Sequence, residues 1–252
     1  MRRFFIAPEQ MHQARPFLGE EDARHVRRVL RLQPGTAIVV FDGTGVEYEA
    51  RIDAVEDRQV RIALVRPLAS GSESALEITL AQAYLKDKKM DQLVRRLTEL
   101  GVTRWLPFMA QRSIPSPDEK RGQARHQRWQ KIAQEAVKQC RRSRPMLIET
   151  PVSFAEAMEI SRTCDLKLFF WEGPQTQPLQ RPTGQPLPAK VFVMIGPEGG
   201  FDPAEQRAAQ SQGFHMVGMG PRILRAETAA VAACTLVQFL FGDMGQNVLD
   251  KG

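Results

Sequence analysis

Ile195-Gly-Pro-Glu-Gly-Gly-Phe-Asp-Pro-Ala-Glu205 joins the end of an apolar run, Lys190-Val-Phe-Val-Met-Ile195, to a predicted helix. Asp202, Pro203 and Glu205 stand where an N-cap, an N1 proline and an N3 carboxylate belong, so the helix start is well specified and the loop before it is held. Strand, glycine loop and helix in that order make the unit of a parallel α/β sheet, which binds ligands at the carboxyl ends of its strands. A second stretch of the same kind, Gly218-Met-Gly-Pro-Arg-Ile-Leu-Arg-Ala-Glu-Thr228, follows a short strand and precedes an apolar helix. One loop carries Glu198; the other carries Arg222, Arg225 and Glu227. A tight turn accounts for a lone glycine pair and surface ion pairing for a lone arginine, but two such loops at one sheet edge make a candidate site. The first loop is not G-x-G-x-x-G, and Glu198 repels a pyrophosphate, which disfavours a nucleotide-dependent oxidoreductase and favours a cationic or uncharged ligand.

Outward from these loops, the alternation persists. Leu76, Ile78 and Leu80 read as a strand, Met90, Leu93, Val94, Leu97 and Leu100 as a helical stripe ended by Gly101, and Val102 to Met109 as a strand. A basic helix follows from about Pro117 to Cys140, then a strand at Met146 to Ile148, a helix near Ser153 to Ile160 and a strand at Leu166 to Trp171. Five prolines between Pro174 and Pro188 mark a stiff loop. After Lys190 to Ile195 come a helix at Pro203 to Gln212, a strand at Phe214 to Val217 and a last helix from about Ala226 to Phe241. The first seventy residues are different: Thr36 to Phe41, Val46 to Val55 and Gln59 to Val65 predict short strands of a small barrel, with one helix at Glu20 to Leu30. The polar stretch Leu68 to Ser74 divides the two patterns, giving domains 1–72 and 73–252.

The 252 residues are 42% hydrophobic and 25% charged, the balance of a folded soluble protein rather than a disordered, collagen-like or coiled-coil chain. The longest nearly apolar stretch, Ala229 to Gly242, is too short to span a bilayer, and the Met1-Arg-Arg-Phe-Phe-Ile6 start lacks the apolar core of a secretory signal. Cys140, Cys164 and Cys234 are far apart and no Cys or His cluster has metal-ligand spacing, so we expect free thiols, a cytoplasmic location and no metal. The net charge is +6, yet Lys120 to Arg144 alone holds nine basic residues against one acid, Glu135. A solvated face is the ordinary reading of such a run; this excess tips it towards a polyanion. The same choice applies to Arg24, Arg27, Arg28 and Arg31 on or beside the first helix.

Gly196-Pro-Glu-Gly-Gly-Phe201 and Met219-Gly-Pro-Arg-Ile-Leu-Arg-Ala-Glu-Thr-Ala229, together and in order, resemble the signature of the SPOUT-superfamily methyltransferases that modify N3 of a uridine in 16S ribosomal RNA. The likeness continues through Arg3-Phe-Phe5, His25-Val-Arg-Arg-Val-Leu-Arg31, Lys89-Met-Asp91, Glu99-Leu-Gly-Val102, Arg112-Ser113 and Gln139-Cys-Arg-Arg142, so it covers nearly the whole chain. Two positions depart from it. The family usually has a small residue where Arg141 stands, and its proline falls one place later than Pro145. The resemblance implies an N-terminal PUA-like β-barrel for RNA and a C-terminal SPOUT-type parallel sheet with a trefoil knot that binds S-adenosylmethionine, usually as a homodimer. Cofactor contact is implied for Phe170, Trp171, Glu172, Ile195, Gly196, Gly200, Met219, Ile223 and Leu224.

Under that resemblance the reaction is attack by uracil N3 on the methyl of the sulfonium, within 16S rRNA of the 30S subunit. Arg225 is the expected substrate-orienting and charge-stabilising residue. Glu198 is the candidate base, unless its carboxylate instead shapes the loop; Glu227 reads as helix N-terminal. RNA contact is expected at Arg3, Arg24, Arg27, Arg28, Arg31, Lys88, Arg112, Arg125, Arg128 and Arg142. The alternative from another class is a non-catalytic RNA-binding ribosome assembly factor, which leaves both Gly-rich loops without a task.

Overall fold

The computed structural model describes residues 1–68, 72–86, 89–113, 119–181, 184 and 186–245, except for the side chains of 119 and 120. Lys88, part of the polar linker, the start of the basic helix at Pro117 and parts of the proline-rich loop therefore lie outside the described residues. Two compact units emerge, Met1–Glu73 with Gln134–Pro145 and Ser74–Ala133 with Met146–Gly252. Segment 134–145, which the sequence boundary assigns to the larger part, thus counts with the first unit.

The first unit contains β1 (Arg3–Phe5), α1 (Pro8–Met11), β2 (Phe17–Leu18), α2 (Glu20–His25), β3 (Ala37–Phe41), β4 (Glu47–Val55) and β5 (Val60–Leu68). They form a five-stranded sheet in the order β1-β3-β4-β5-β2, antiparallel except for β1 beside β3. Strand alternation sends Ile38, Val40, Ala50, Ile52, Val60 and Ile62 into one core with Phe4, Leu18 and Val26. Sequence reading missed β1 and β2, each too short to show a period. The helix expected over Glu20 to Leu30 is α-helical only to His25 and π-helical over Val26–Leu30, ending on Arg31 at φ +51°.

The second unit contains β6 (Glu77–Ala83), α3 (Lys89–Glu99), β7 (Arg104–Met109), α4 (Glu119–Cys140, whose last residues count with the first unit), β8 (Leu147–Ile148), β9 (Val152–Ser153) and α5 (Phe154–Ile160). It continues with β10 (Leu166–Phe170), β11 (Gln177–Pro178), β12 (Lys190–Ile195), α6 (Pro203–Ser211), β13 (His215–Gly218) and α7 (Ala226–Phe241). The sheet is parallel in the order β11-β13-β10-β12-β6-β7-β8, with β9 also paired to β7. On β12, Val191, Val193 and Ile195 face a core shared with α3 and α7, while Phe192 and Met194 face a second core shared with α5 and α6. A strand buried on both faces reads as a continuous apolar run, which is why β12 matches its sequence bounds.

Helix ends follow their capping chemistry. Asp202 accepts from the Ala204 N–H at 2.9 Å and donates its own N–H to Glu205 at 2.9 Å, and Ser153 with Glu156 forms the same box before α5. α4 ends differently. Arg141, its first residue beyond Cys140, sits at φ +67°, a left-handed conformation that a β-carbon disfavours and a glycine accepts freely. The small residue usual there in the resembling family is thus explained by the backbone. Arg141→Gly should raise unfolding stability by about 1 kcal/mol, or roughly 2–4 °C in Tm, by urea and thermal melts. An unchanged or lowered midpoint would show that Arg141 carries no strain.

Candidate functional site

Strands β13, β10 and β12 are neighbours, and their carboxyl ends open into one pocket. Phe170, Trp171 and Glu172 reach it from the end of β10; Ile195, Gly196 and Gly200 from the loop after β12; Met219, Ile223 and Leu224 from the segment between β13 and α7. The nine residues named from sequence therefore line a single pocket. Sequence reading gave no cofactor role to Pro197, Phe201, Gly220, Ala226 or Ala229, which complete the walls. Position after the strand ends was the signal that could have found them.

Two glycines give this pocket its shape. A Cβ at Gly196 would lie 2.9 Å from the Phe201 ring, which is buried in the core with its centroid 4.0 Å from that of the tilted Phe169 ring. The backbone can turn away from β12 there only because Gly196 has no side chain. Gly200, at φ +69°, closes the turn by donating its N–H to the Pro197 carbonyl at 3.0 Å. Behind the loop, fully buried Gln82 donates from Nε2 to the carbonyls of Ala83 and Gly196, at 3.1 and 3.4 Å.

Glu198 lies in the pocket wall, and its Oε1 accepts from Lys89 Nζ at 3.0 Å and from the Lys86 N–H at 3.5 Å. Burial works to raise the Glu198 carboxyl; the hydrogen bond and charge of Lys89 outweigh it and hold the group below the usual carboxylate range. Lys89 is in turn raised above the usual lysine range, first by its hydrogen bond to Glu198 and also by Glu227, 3.3 Å away. Arg222 lines the pocket, whereas Arg225 is the exposed N-cap of α7 and lies outside the lining. Neither arginine has an ion-pair partner among the described residues.

The arginines expected to meet RNA divide by their partners. Arg3 makes a bidentate pair with Glu47 at 2.6 and 2.8 Å, gives a third bond to the Arg142 carbonyl and lies over the Phe41 ring. Arg142 is 3% exposed and paired with Glu73 at 3.1 Å. These two are corrections to the sequence reading: their guanidiniums are committed inside the first unit, because a buried arginine must be paired. Arg125 donates to the Tyr84 hydroxyl just past β6 at 2.8 Å and Arg128 pairs with Asp91 in the first turn of α3 at 2.8 Å, so both fasten α4 within the second unit while Arg128 remains 62% exposed. Arg112 holds Asp202 at 3.4 Å, Arg24 meets Glu20 and Arg27 meets Asp57. Arg28 and Arg31 are exposed, with no ion pair among the described residues. Among those residues there is no cluster able to hold a metal, and no helix is long and apolar enough to cross a membrane.

Comparison with known proteins matches this geometry. Residues 72–238 match the family described as RNA methyltransferase domain, and residues 18–65 the RNA methyltransferase PUA domain. The chain is similar to ribosomal RNA small subunit methyltransferase E of Synechocystis sp., at 30% identity over 245 residues, covering 94% of this chain and 77% of that protein. It is 27% identical to the protein of that name in Bacillus subtilis over 247 residues, covering 95% and 96%. The Neisseria gonorrhoeae ribosomal RNA small subunit methyltransferase E, solved bound to S-adenosyl methionine, superposes with a TM-score of 0.82 at 30% identity, covering 97% of this chain and 99% of that one. A Legionella pneumophila methyltransferase in complex with the cofactor SAM gives 0.82 and 30%, covering 96% and 98%. With a family match over more than half its length and a relative 30% identical over 94% of it, this chain belongs to the RNA methyltransferase domain family.

Proposed function

We propose that this chain methylates N3 of a uridine in 16S ribosomal RNA, with S-adenosylmethionine as methyl donor. It is an S-adenosylmethionine-dependent methyltransferase of small-subunit ribosomal RNA. The observation that carries the reading is the convergence of three strand ends, two of them followed by glycine-rich loops, on one pocket in a chain of this family. A non-catalytic assembly factor would leave that pocket without use.

The pocket fits the donor. Phe170, Ile195, Leu224 and Ala226 supply apolar walls for a flat base, the open backbone of the loops supplies donors and acceptors, and the carboxylates of Glu172 and Glu198 suit a cationic ligand. When bound, S-adenosylmethionine supplies an electrophilic methyl group on a sulfonium sulfur. Uracil N3 is protonated at neutral pH, so the chain must favour the anion that remains when the proton leaves. Arg225, exposed at the start of α7, and Arg222, in the pocket wall, are the cations able to face negative charge on the uracil carbonyls. Glu198 is held ionised by Lys89, and a carboxylate of lowered pKa is a weak proton acceptor, so shaping the loop suits it better than proton removal.

The finer architecture belongs to the same proposal. A trefoil knot in the second unit is supported by the strand order, which sets β10 between β13 and β12 with their loops converging at one edge. The two bulges of β4 against β5, between Glu49 and Ala50 and between Ile52 and Ala54, are the bends by which a sheet such as the first unit's curls towards a barrel. Domains 1–72 and 73–252 are the proposed functional division. Homodimerisation is supported by apolar side chains left uncovered: Ile223 in the pocket lining is 84% exposed, and Leu236 and Phe239 further along α7 are 39% and 59% exposed. Arg24, Arg27, Arg28, Arg31, Lys88, Arg112, Arg125 and Arg128 remain the proposed RNA contacts, and the cytoplasm the proposed location.

The deciding experiment incubates the protein and S-adenosylmethionine with 30S subunits from a strain lacking this protein. Nucleoside analysis should reveal one new 3-methyluridine; its absence, with the RNA intact and folded, would overturn the proposal. Gly196→Val, which drives a branched side chain against Phe201 and the ligand space, should weaken cofactor binding by about tenfold or more in calorimetry. An unchanged Kd in the folded variant would remove Gly196 from the site. Arg225→Ala should lower kcat by a factor on the order of 10² while leaving cofactor affinity nearly intact. Normal turnover at saturating RNA would exclude that role.

A further inference from the structure

Lys89 opens helix α3, and a cation at a helix N-terminus is opposed by the helix dipole. Its position therefore has no explanation in the stability of its own helix. What faces it are two carboxylates from different elements: Glu198, in the loop after β12, at 3.0 Å, and Glu227, in the first turn of α7, at 3.3 Å. Glu227 is only 16% exposed, and its Oε2 has no hydrogen-bond partner, so the ammonium is its sole close compensation among the described residues. The two elements joined in this way both line the same pocket. Gly196, Pro197, Gly200 and Phe201 come from the loop, Ala226 and Ala229 from α7. Without the ammonium, the two carboxylates would face each other within about 6 Å, close enough for like charges to repel strongly.

We propose that Lys89 is a positioning residue: its ammonium, shared by Glu198 and Glu227, clamps the Gly196–Phe201 loop to the start of α7 and sets the width of the cofactor pocket between them. The inference rests on the reading of that pocket as the S-adenosylmethionine site. Lys89 does not line the pocket and touches neither the cofactor nor the base; it acts through the two walls. The same ammonium holds the Glu198 carboxylate ionised, consistent with the lowered Glu198 and raised Lys89. Because the clamp sets the pocket rather than the reaction, its loss falls on cofactor affinity and not on turnover once the cofactor is saturating.

The test combines hydrogen exchange with titration of S-adenosylhomocysteine, an uncharged thioether that avoids a direct effect of charge on the sulfonium. In the cofactor-free protein, Lys89→Met should speed amide exchange about tenfold in residues 196–202 and 226–230, and Lys89→Arg should restore most of the protection. The Lys89→Met variant should bind S-adenosylhomocysteine about tenfold more weakly, with kcat at saturating S-adenosylmethionine within about threefold of the parent. In a double-mutant cycle, Glu227→Gln should weaken binding in the parent yet cost nothing further in Lys89→Met, since its partner is already gone. Parental affinity and exchange in Lys89→Met would overturn the clamp, as would additive effects in the cycle or a loss confined to kcat. A parent protein that binds neither nucleoside ligand overturns the reading of the pocket instead, and the exchange experiment then still decides the clamp by itself.

Discussion

Strand β12 is hydrogen-bonded to β10 on one side and β6 on the other, and each of its faces is packed by helices. Its last residue, Ile195, therefore cannot shift without disturbing two cores. Each buried aliphatic or aromatic side chain contributes about 1.5–3 kcal/mol, so five consecutive buried residues, Val191 to Ile195, fix the strand end firmly. From that fixed point the chain must turn at once past the Phe201 ring, and Gly196 is the residue that permits it. Asp202 and Pro203 then pin the far end of the loop to α6. The pocket is a consequence of a loop held at both ends beside two neighbouring strand ends.

Charge is used in two separate ways in this molecule. Arg3, Arg142 and Arg144 lie in the first unit and hold backbone and carboxylates there: Arg144 donates to the Thr44 carbonyl at 2.9 Å, and the N–H groups of Ser143 and Arg144 meet Glu73 at 2.8 and 2.9 Å. Arg28 and Arg31, by contrast, are exposed in and just after the π-helical segment that continues α2, without such partners among the described residues. π-helical turns recur at functional positions, and a phosphate contact needs a guanidinium whose hydrogen bonds are still available. A count of basic residues thus overstates the surface open to a nucleic acid. Pairing and burial decide which of them can serve.

The acidic side of the site follows the same logic. A free carboxylate in a pocket wall invites a role in proton transfer, and sequence alone offers Glu198 for it. The structure gives that carboxylate a lysine, and the lysine a second carboxylate. An ion pair of this kind trades basicity for position, because each partner stabilises the charged form of the other. Arg222 and Arg225 carry no such partner among the described residues, which leaves their charge available to a substrate.

Much of this was legible in the sequence because it is local. The capping box at Asp202, the doubly apolar β12, the helical stripe of α3 and the two Gly-rich loops are each set by residues within about a dozen positions, where strand and helix periods and cap preferences act. The motifs also carried the family and named nine residues that line one pocket. What sequence could not supply depends on which distant residues meet. Strands of two or three residues such as Arg3–Phe5 and Gln177–Pro178 exist only because a neighbour offers hydrogen bonds. The burial of Arg142 depends on Glu73, the restraint of Arg125 on Tyr84, and the pairing of Lys89 on carboxylates more than a hundred residues away. Local propensity acts through neighbours along the chain, whereas Coulomb pairing and desolvation act through neighbours in space, and only the tertiary structure brings those together.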